Sequence, residues 1–519
     1  MFAEPHGTTL PGKPDNVYLA GPPKRRIDYK RLAFLLLGVG LFALVYLLPT
    51  TPDAVDPEGQ VFTLSRQGQS ALALFLLAAT WWVFEVVPIG VTSITIGVVQ
   101  ALFLIRPDKV LANGEVISGT WISFTDFLAP SVWFIFGSII IGLAFSKTGL
   151  TQRMAYKMLS LIGERTSMIY LGCFIMTSAM TMIMAHTAVA AAVYPLLMAI
   201  YGLYEEDSSK PSRFGKGLLM GMAYVAGAGS IITLLGAARG AVAIGFYKDI
   251  VGKEITFFQL SYYMFPVGWF MTFVLWGFFM VVCKPEKKRI PGLREKAKAL
   301  SKRLGPISSK EILTLTFVFS IIALLSVREI IPFLQPINKS AIILCATILF
   351  FIFKILNLKD LESVPWNIIL LFGGAMSIGF CLWQTGAAKW MAIHWLGLFE
   401  EASWFIFVMG MAFFVLIMTN FIMNVAAIAI SLPVALVIAG YLGVAPEIVI
   451  FSALVVAGMP FLLLVGAAPN AIAYESRQFT SGQFFLYGIP ASILLMIVLA
   501  FFVAVVWPLM GMPMTVPAQ

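Results

Sequence analysis

The residues best suited to chemistry in this chain come in pairs, each pair set inside an apolar run. Met184-Ala185-His186-Thr187-Ala188 in the first half reads against Ile422-Met423-Asn424-Val425-Ala426 in the second, and a proline follows each at equal spacing, Pro195 and Pro433. Further on, Leu234-Leu235-Gly236-Ala237-Ala238-Arg239-Gly240 aligns with Leu464-Val465-Gly466-Ala467-Ala468-Pro469-Asn470. The chain is a duplication. Hydroxyl, amide and guanidinium groups are donors to an oxyanion, and helices interrupted at Gly and Pro present N–H groups and the positive ends of their dipoles to the same ligand. Unwound carbonyls at the opposite half-helix ends coordinate a hard cation such as sodium. Glycine and alanine at Gly236, Ala237, Gly466 and Ala467 allow the close backbone approach this needs.

Binding is therefore the chemistry, and catalysis is not. An intramembrane enzyme needs a Ser/His set, paired Asp or HExxH with a metal, and of the three histidines His6, His186 and His394 only His186 lies deep beside a motif. Cys173, Cys283, Cys345 and Cys381 lack metal-ligand or disulfide spacing and read as packing residues. Arg239 is costly at membrane depth, about 2.5 to more than 10 kcal/mol. It should face a polar cavity with an anion or carboxylate partner; pairing to the backbone or snorkelling is the competing reading.

Positioning these residues requires a membrane. Hydrophobic residues make up 60% of the 519 and charged residues 12%, with mean hydropathy +0.91, against roughly 45–50% and 25% in soluble domains. The reading is an all-α polytopic membrane protein with about eleven spans, beginning at Leu32 and ending at Trp507, plus two re-entrant hairpins. The hairpins, Ser167–Tyr201 and Ser403–Tyr441, are too long for one crossing and carry a polar residue near the middle. Short interfacial helices near Gln152–Leu161 and Lys389–Leu398 precede them. Paired interruptions of this kind mark an inverted repeat, so 167–243 and 403–473 should be related by a pseudo-twofold axis in the membrane plane.

Basic residues set the orientation. Lys24, Arg25, Arg26, Lys30 and Arg31 precede the first span, and the loop 284–310 is strongly basic, so both should be cytoplasmic. Loops with Asp53, Asp56 and Glu58 and with Asp108, Glu115 and Asp126 should be external, as should the tail Gly511–Gln519. The formal charge of +9 is then topology, not a nucleic-acid footprint. Met1–Pro23 lacks an apolar core, so no cleavable signal is expected.

Trp81-Trp82-Val83-Phe84-Glu85-Val86-Val87-Pro88 resembles the WW-x-T-E-A-x-P signature of the divalent anion:sodium symporters, the dicarboxylate and sulfate transporters of the ion transporter superfamily. Phe136-Gly137-Ser138 and Phe372-Gly373-Gly374, the hairpins, the broken helices and the basic loop between the halves follow in the same order. The resemblance implies a homodimeric elevator in the plasma (inner) membrane. Its parts would be a cytoplasmic segment 1–31, scaffold helices 32–130, and first-repeat transport elements 131–260 with hairpin 167–201 and broken helix 215–246. Scaffold helices 261–364 with the basic loop follow, then second-repeat transport elements 365–482 with hairpin 403–441 and broken helix 447–474, and a last helix and external tail 483–519. It implies a substrate site of His186, Thr187, Asn424, Val425, Arg239, Pro469 and Asn470. Sodium would be bound near Ala185, His186, Gly236, Met423, Asn424 and Gly466, with no organic cofactor.

The departures are informative. Relatives carry Ser-Asn-Thr at each tip; here Thr187 and Asn424 keep those types, whereas His186 and Val425 do not, and Pro-Asn becomes Arg239-Gly240 in the first half. Glu85 reads as a helix-end or ion-pair residue. The expectation is a secondary transporter of small divalent organic anions, di- or tricarboxylates, with reduced sodium coupling. The alternatives are sulfate or organosulfonate transport, a sodium-independent exchanger, or a proton-coupled carrier.

Overall fold

Apolar runs in lipid can satisfy their backbone only by curling into helices, and this chain does so almost throughout. The computed structural model describes residues 29–516 apart from 50, 56–59, 111–113, 206–209, 238, 329 and 397–402. Lys24, Arg25, Arg26, Asp56, Glu58, Ala238, Leu398 and the last three residues of the tail thus lie outside the described residues. Helices α1 (Tyr29–Leu47), α2 (Arg66–Val83) and α3 (Ile89–Leu102) come first. Between α2 and α3 the signature ends in a turn where Glu85 takes a φ of +44° and Arg31 donates to the Val86 carbonyl at 2.6 Å. Two-stranded ribbons, β1 (Ala54–Val55) with β2 (Val61–Phe62) and β3 (Lys109–Val110) with β4 (Val116–Ile117), occupy the loops.

Then follow α4 (Gly119–Thr125), α5 (Pro130–Thr148) and the short α6 (Leu150–Ile162). The first hairpin is α7 (Thr166–Thr181) and α8 (His186–Tyr204); the first broken helix is α9 (Arg213–Ser230) and α10 (Arg239–Val251). After α11 (Phe257–Val282), the basic loop with its helix α12 (Leu293–Arg303), α13 (Ser309–Val327), α14 (Lys339–Ile352) and α15 (Leu358–Glu362), the order repeats. Helix α16 (Trp366–Gln384) corresponds to α5 and α17 (Ala387–Leu396) to α6. The second hairpin is α18 (Trp404–Phe421) and α19 (Asn424–Tyr441), the second broken helix α20 (Pro446–Ala457) and α21 (Ala468–Tyr474), and α22 (Ser481–Phe501) closes the sequence of spans. The two helix pairs and the two interrupted helices fall within the stretches read from the sequence, with α6 and α17 at the short stretches before them, although α10 runs past Phe246 to Val251.

Packing repeats as well. Helix α7 lies against α9 as α18 lies against α20, and α8 against α9 as α19 against α20. The second limb of each broken helix crosses to the other repeat, α10 onto α19 and α21 onto α8. The two halves therefore share one core.

The acid read into the second external loop has a buried partner. Asp126, read as an external loop acid, folds against Arg106 at 2.7 Å, and that guanidinium, fully buried, also donates to the Ser377 carbonyl at 3.0 Å. Burying an arginine draws in the nearest carboxylate, because an unpaired buried charge is strongly destabilising.

The basic loop is held by Glu286, which accepts from the Arg213 and Phe214 amides at 2.6 and 3.2 Å and from the Tyr204 hydroxyl at 2.8 Å. Burial pushes its pKa up, but these donors outweigh burial and hold it below its ordinary 4.5. A depressed carboxylate contributes stability above its unfolded value, and that contribution is lost as pH falls through the folded value. Glu286→Gln should lower thermal stability at neutral pH by about 1–2 kcal/mol, and the difference from wild type should shrink as pH falls below 4.5. Melting the purified protein across that range checks both.

Candidate functional site

Helices near the surface are capped: Ser65 accepts from the Gly68 amide, Thr256 from Gln259, and Ser308 with Glu311 forms a capping box. The second helix of each hairpin is not. Ala185 precedes α8 and Met423 precedes α19, and neither has a side chain that can cap. Uncapped first-turn N–H groups seek acceptors, and both turns border one cavity of about 400 Å³. Thr187, Ala188, Asn424 and Val425 line it from the tips, Ala468 from the start of α21, and Ser138 from α5. It extends along α5 to Ser146 and Pro365. That is the face carrying the basic loop, since Arg153 of α6 donates to the Gly305 and Pro306 carbonyls.

The breaks are braced from within. Gly236 and Gly466 lie so close to the ends of α7 and α18 that a β-carbon would come 2.3 Å from the Thr181 carbonyl and 3.0 Å from that of Thr419. In the first break the Gly236 carbonyl accepts the His186 amide at 3.1 Å, with the ring Nδ1 at 3.4 Å, while Leu235 accepts from the Ser138 hydroxyl at 2.8 Å. In the second, the Asn470 amide donates to the Pro460 and Leu463 carbonyls at 2.9 and 3.2 Å. Asn420 closes the same loop through the Leu462 amide at 2.8 Å.

Asn424 accepts from the Thr419 hydroxyl at 3.0 Å through its carbonyl oxygen, leaving its N–H₂ for the cavity. The Thr187 hydroxyl has no hydrogen bond to the described residues. Arg239 begins α10 and is only 2% exposed, yet borders the cavity. No carboxylate meets it among the described residues. Its Nη2 donates to the hydroxyl of Ser230, the last residue of α9, at 2.8 Å, and lies where a β-carbon on Gly458 would come within 2.5 Å. Gly458 directly follows the last residue of α20. The guanidinium thus sits between the C-terminal ends of two half-helices, each carrying about half a negative charge.

Residues 30–513 match the family described as the sodium:sulfate symporter transmembrane region. The chain belongs to that family. It is 26% identical over 510 residues to the sodium-dependent dicarboxylate transporter SdcS of Staphylococcus saprophyticus, covering 94% of this chain and 93% of that one. To SdcS of Staphylococcus aureus strain NCTC 8325 it is 25% identical over 501 residues, 92% of each. In fold it is similar to the Alcanivorax borkumensis YdaH transporter (TM-score 0.52, 12% identity, 85% of this chain and 99% of that one). It is similar also to Neisseria gonorrhoeae MtrF (0.55, 11%, 91% and 93%). It is a polytopic membrane transport protein, not an enzyme.

Of the residues expected at the site of this sodium:sulfate symporter family member, His186, Thr187, Arg239, Asn424 and Val425 share the central cavity with Ala185, Met423 and Gly466. Gly236 stands behind His186. Pro469 and Asn470 border a separate narrow cleft with His186, and the Asn470 amide faces its own break. Three contributors escaped the sequence reading: Ser230, Gly458 and Thr419. Their signal was position, since each lies at or near the end of a helix beside a break or tip.

Gly458→Ala should clash with Arg239 and cost about 1–3 kcal/mol of stability. In Arg239→Ala the same glycine change should cost less, the remainder coming from Ile231, whose Cγ2 would lie equally close at 2.5 Å. A double-mutant cycle on thermal stability measures the coupling; additive costs would place the guanidinium away from Gly458.

Proposed function

We propose that the central cavity binds a small dicarboxylate-class dianion and carries it across the membrane by secondary transport. The observation that supports this best is the convergence of two uncapped helix N-termini, the Thr187 hydroxyl, the Asn424 amide and the Arg239 guanidinium on one cavity of about 400 Å³. Every group offered is a donor or a cation. The printed activity of the SdcS relatives, sodium-dependent dicarboxylate transport, points the same way. Sulfate, the substrate in the family's description, is the smaller alternative anion.

Sodium fits the two repeats unequally. In the second, the Thr419 carbonyl and hydroxyl and the Asn424 amide oxygen gather beside Gly466 as hard oxygen donors, the hydroxyl's hydrogen having the Ala457 carbonyl at 3.2 Å as an alternative to Asn424. In the first, the Gly236 and Leu235 carbonyls already accept from His186 and Ser138, and Arg239 supplies a fixed charge that stays protonated at any workable pH. A coupled sodium therefore belongs to the second repeat, and the first runs on its own tethered cation. The same observation supports a second reading, sodium-independent exchange.

Movement is of the elevator kind in this proposal. The hairpins and broken helices pack on one another; α16 packs most heavily on α3, and also on α2 and the hairpin helix α19, while α5 packs most heavily on α14 and also on α13, α8 and α10. This favours α5 and α16 as parts of a fixed scaffold, beyond the 131–260 and 365–482 grouping read from sequence. A homodimer joined through scaffold helices, with the N-terminus cytoplasmic and the C-terminus external, completes the proposal.

In proteoliposomes offered succinate-like dicarboxylates, tricarboxylates, sulfate and organosulfonates, the four-carbon dicarboxylates should be taken up best. Thr187→Ala and Asn424→Ala should each weaken that substrate's binding by about 1–3 kcal/mol while leaving insertion intact. Unchanged affinity in both variants would mean that the tips do not form the site.

A further inference from the structure

A second cavity, of about 300 Å³, lies on the other side of the first break. Leu234 lines it, whereas Leu235 and Ala237 line the central one, so the wall between them is a single stretch of unwound backbone. Phe134, Met376 and Phe380 complete that wall from α5 and α16. The two cavities lie along the same pair of helices. The central one reaches Ser146 and Pro365 at one end, and the second is bordered by Pro130 and Ser131 at the other.

Charge distinguishes the second cavity. Lys248, Arg328 and Lys339 border it with Asp249 and Glu254. Glu254 is taken: it accepts from Lys339 at 2.8 Å and faces the Arg328 guanidinium at 3.6 Å. Arg328 is further tied to the Ile337 and Gln335 carbonyls at 2.7 and 2.6 Å, and Lys339 to the Ile255 carbonyl at 2.7 Å. One carboxylate thus serves two fixed cations. The Lys248 side chain, in the last turn of α10, makes neither a salt bridge nor a hydrogen bond among the described residues, with Asp249 and Glu254 as the acids within its electrostatic reach.

We propose that this second cavity is a capture site for the same class of small dianion, with Lys248 as its free cation, which loads the anion onto the substrate site when the moving elements present that site to this face. The proposal rests on the dianion reading above. Three cations against two carboxylates leave an excess of positive charge that attracts an anion and raises its encounter rate, and Lys248 rides on the helix whose first residue, Arg239, borders the central cavity. Asp249 beside it limits the excess positive charge, which suits capture and release better than tight retention.

The test uses the full-length protein in oriented membrane vesicles, with radiolabelled four-carbon dicarboxylate offered in turn to each face. Lys248→Gln and Lys248→Glu should raise KM for entry from the face where α10 ends, by roughly three- to tenfold at low salt, with the larger effect for Glu. Vmax should be unchanged, Lys248→Arg should behave as wild type, and the effect should shrink with added salt as screening sets in. KM for entry from the basic-loop face should not move. Unchanged KM in both variants, or equal shifts from both faces, would overturn the capture site while leaving the proposed function standing. Absence of dianion transport by the wild type would overturn both.

Discussion

A helix interrupted inside an apolar layer leaves N–H and C=O groups that must find partners, and the centre of this protein is built around that demand. The carbonyl ends are closed by donors from within: His186 on Gly236, Ser138 on Leu235, Asn470 on Pro460 and Leu463. Beyond the His186 amide, the first turns of α8 and α19 have no side-chain cap at Ala185 and Met423, where a serine or threonine would have capped them as it caps helices at the surface. In the proposed function, anion binding is the complement of this backbone.

Arg239 follows the same logic with opposite sign. The first limbs of the two broken helices end at Ser230 and Ala457, and their carbonyl ends call for positive charge. Gly458 leaves room for the guanidinium and Ser230 fixes one of its nitrogens. A single side chain therefore answers two helix ends and faces the cavity. Its burial without a carboxylate, costly for an isolated charge, is offset by those dipoles and, in the proposed mechanism, by the anion itself.

Much of this was legible in the sequence. The duplicated motifs located both hairpins and both breaks to within a few residues, because Gly, Pro and Asn inside long apolar runs leave the backbone few alternatives. Thr187 and Asn424 were legible as tip donors for the same reason. Pairing was harder to read. A deep arginine suggests a carboxylate, yet its hydroxyl partner is nine residues upstream and its helix-end partner lies in the other repeat. Arg106 does have its carboxylate, in Asp126, which looked like a loop residue because a short helix between them hides the approach. Asn470, read from the sequence as a ligand, braces its own break through an amide orientation that composition does not carry.

The central claim is that Arg239 acts as the first repeat's cation. Equilibrium binding of a four-carbon dicarboxylate to the purified protein, titrated against sodium in wild type and Arg239→Gln, tests it most directly. Affinity in the wild type should persist at low sodium and rise with a limiting log–log slope of about one, the mark of a single linked ion. Removing the guanidinium should abolish binding in the absence of sodium. A wild-type slope of about two or more, left unchanged by Arg239→Gln, would contradict it.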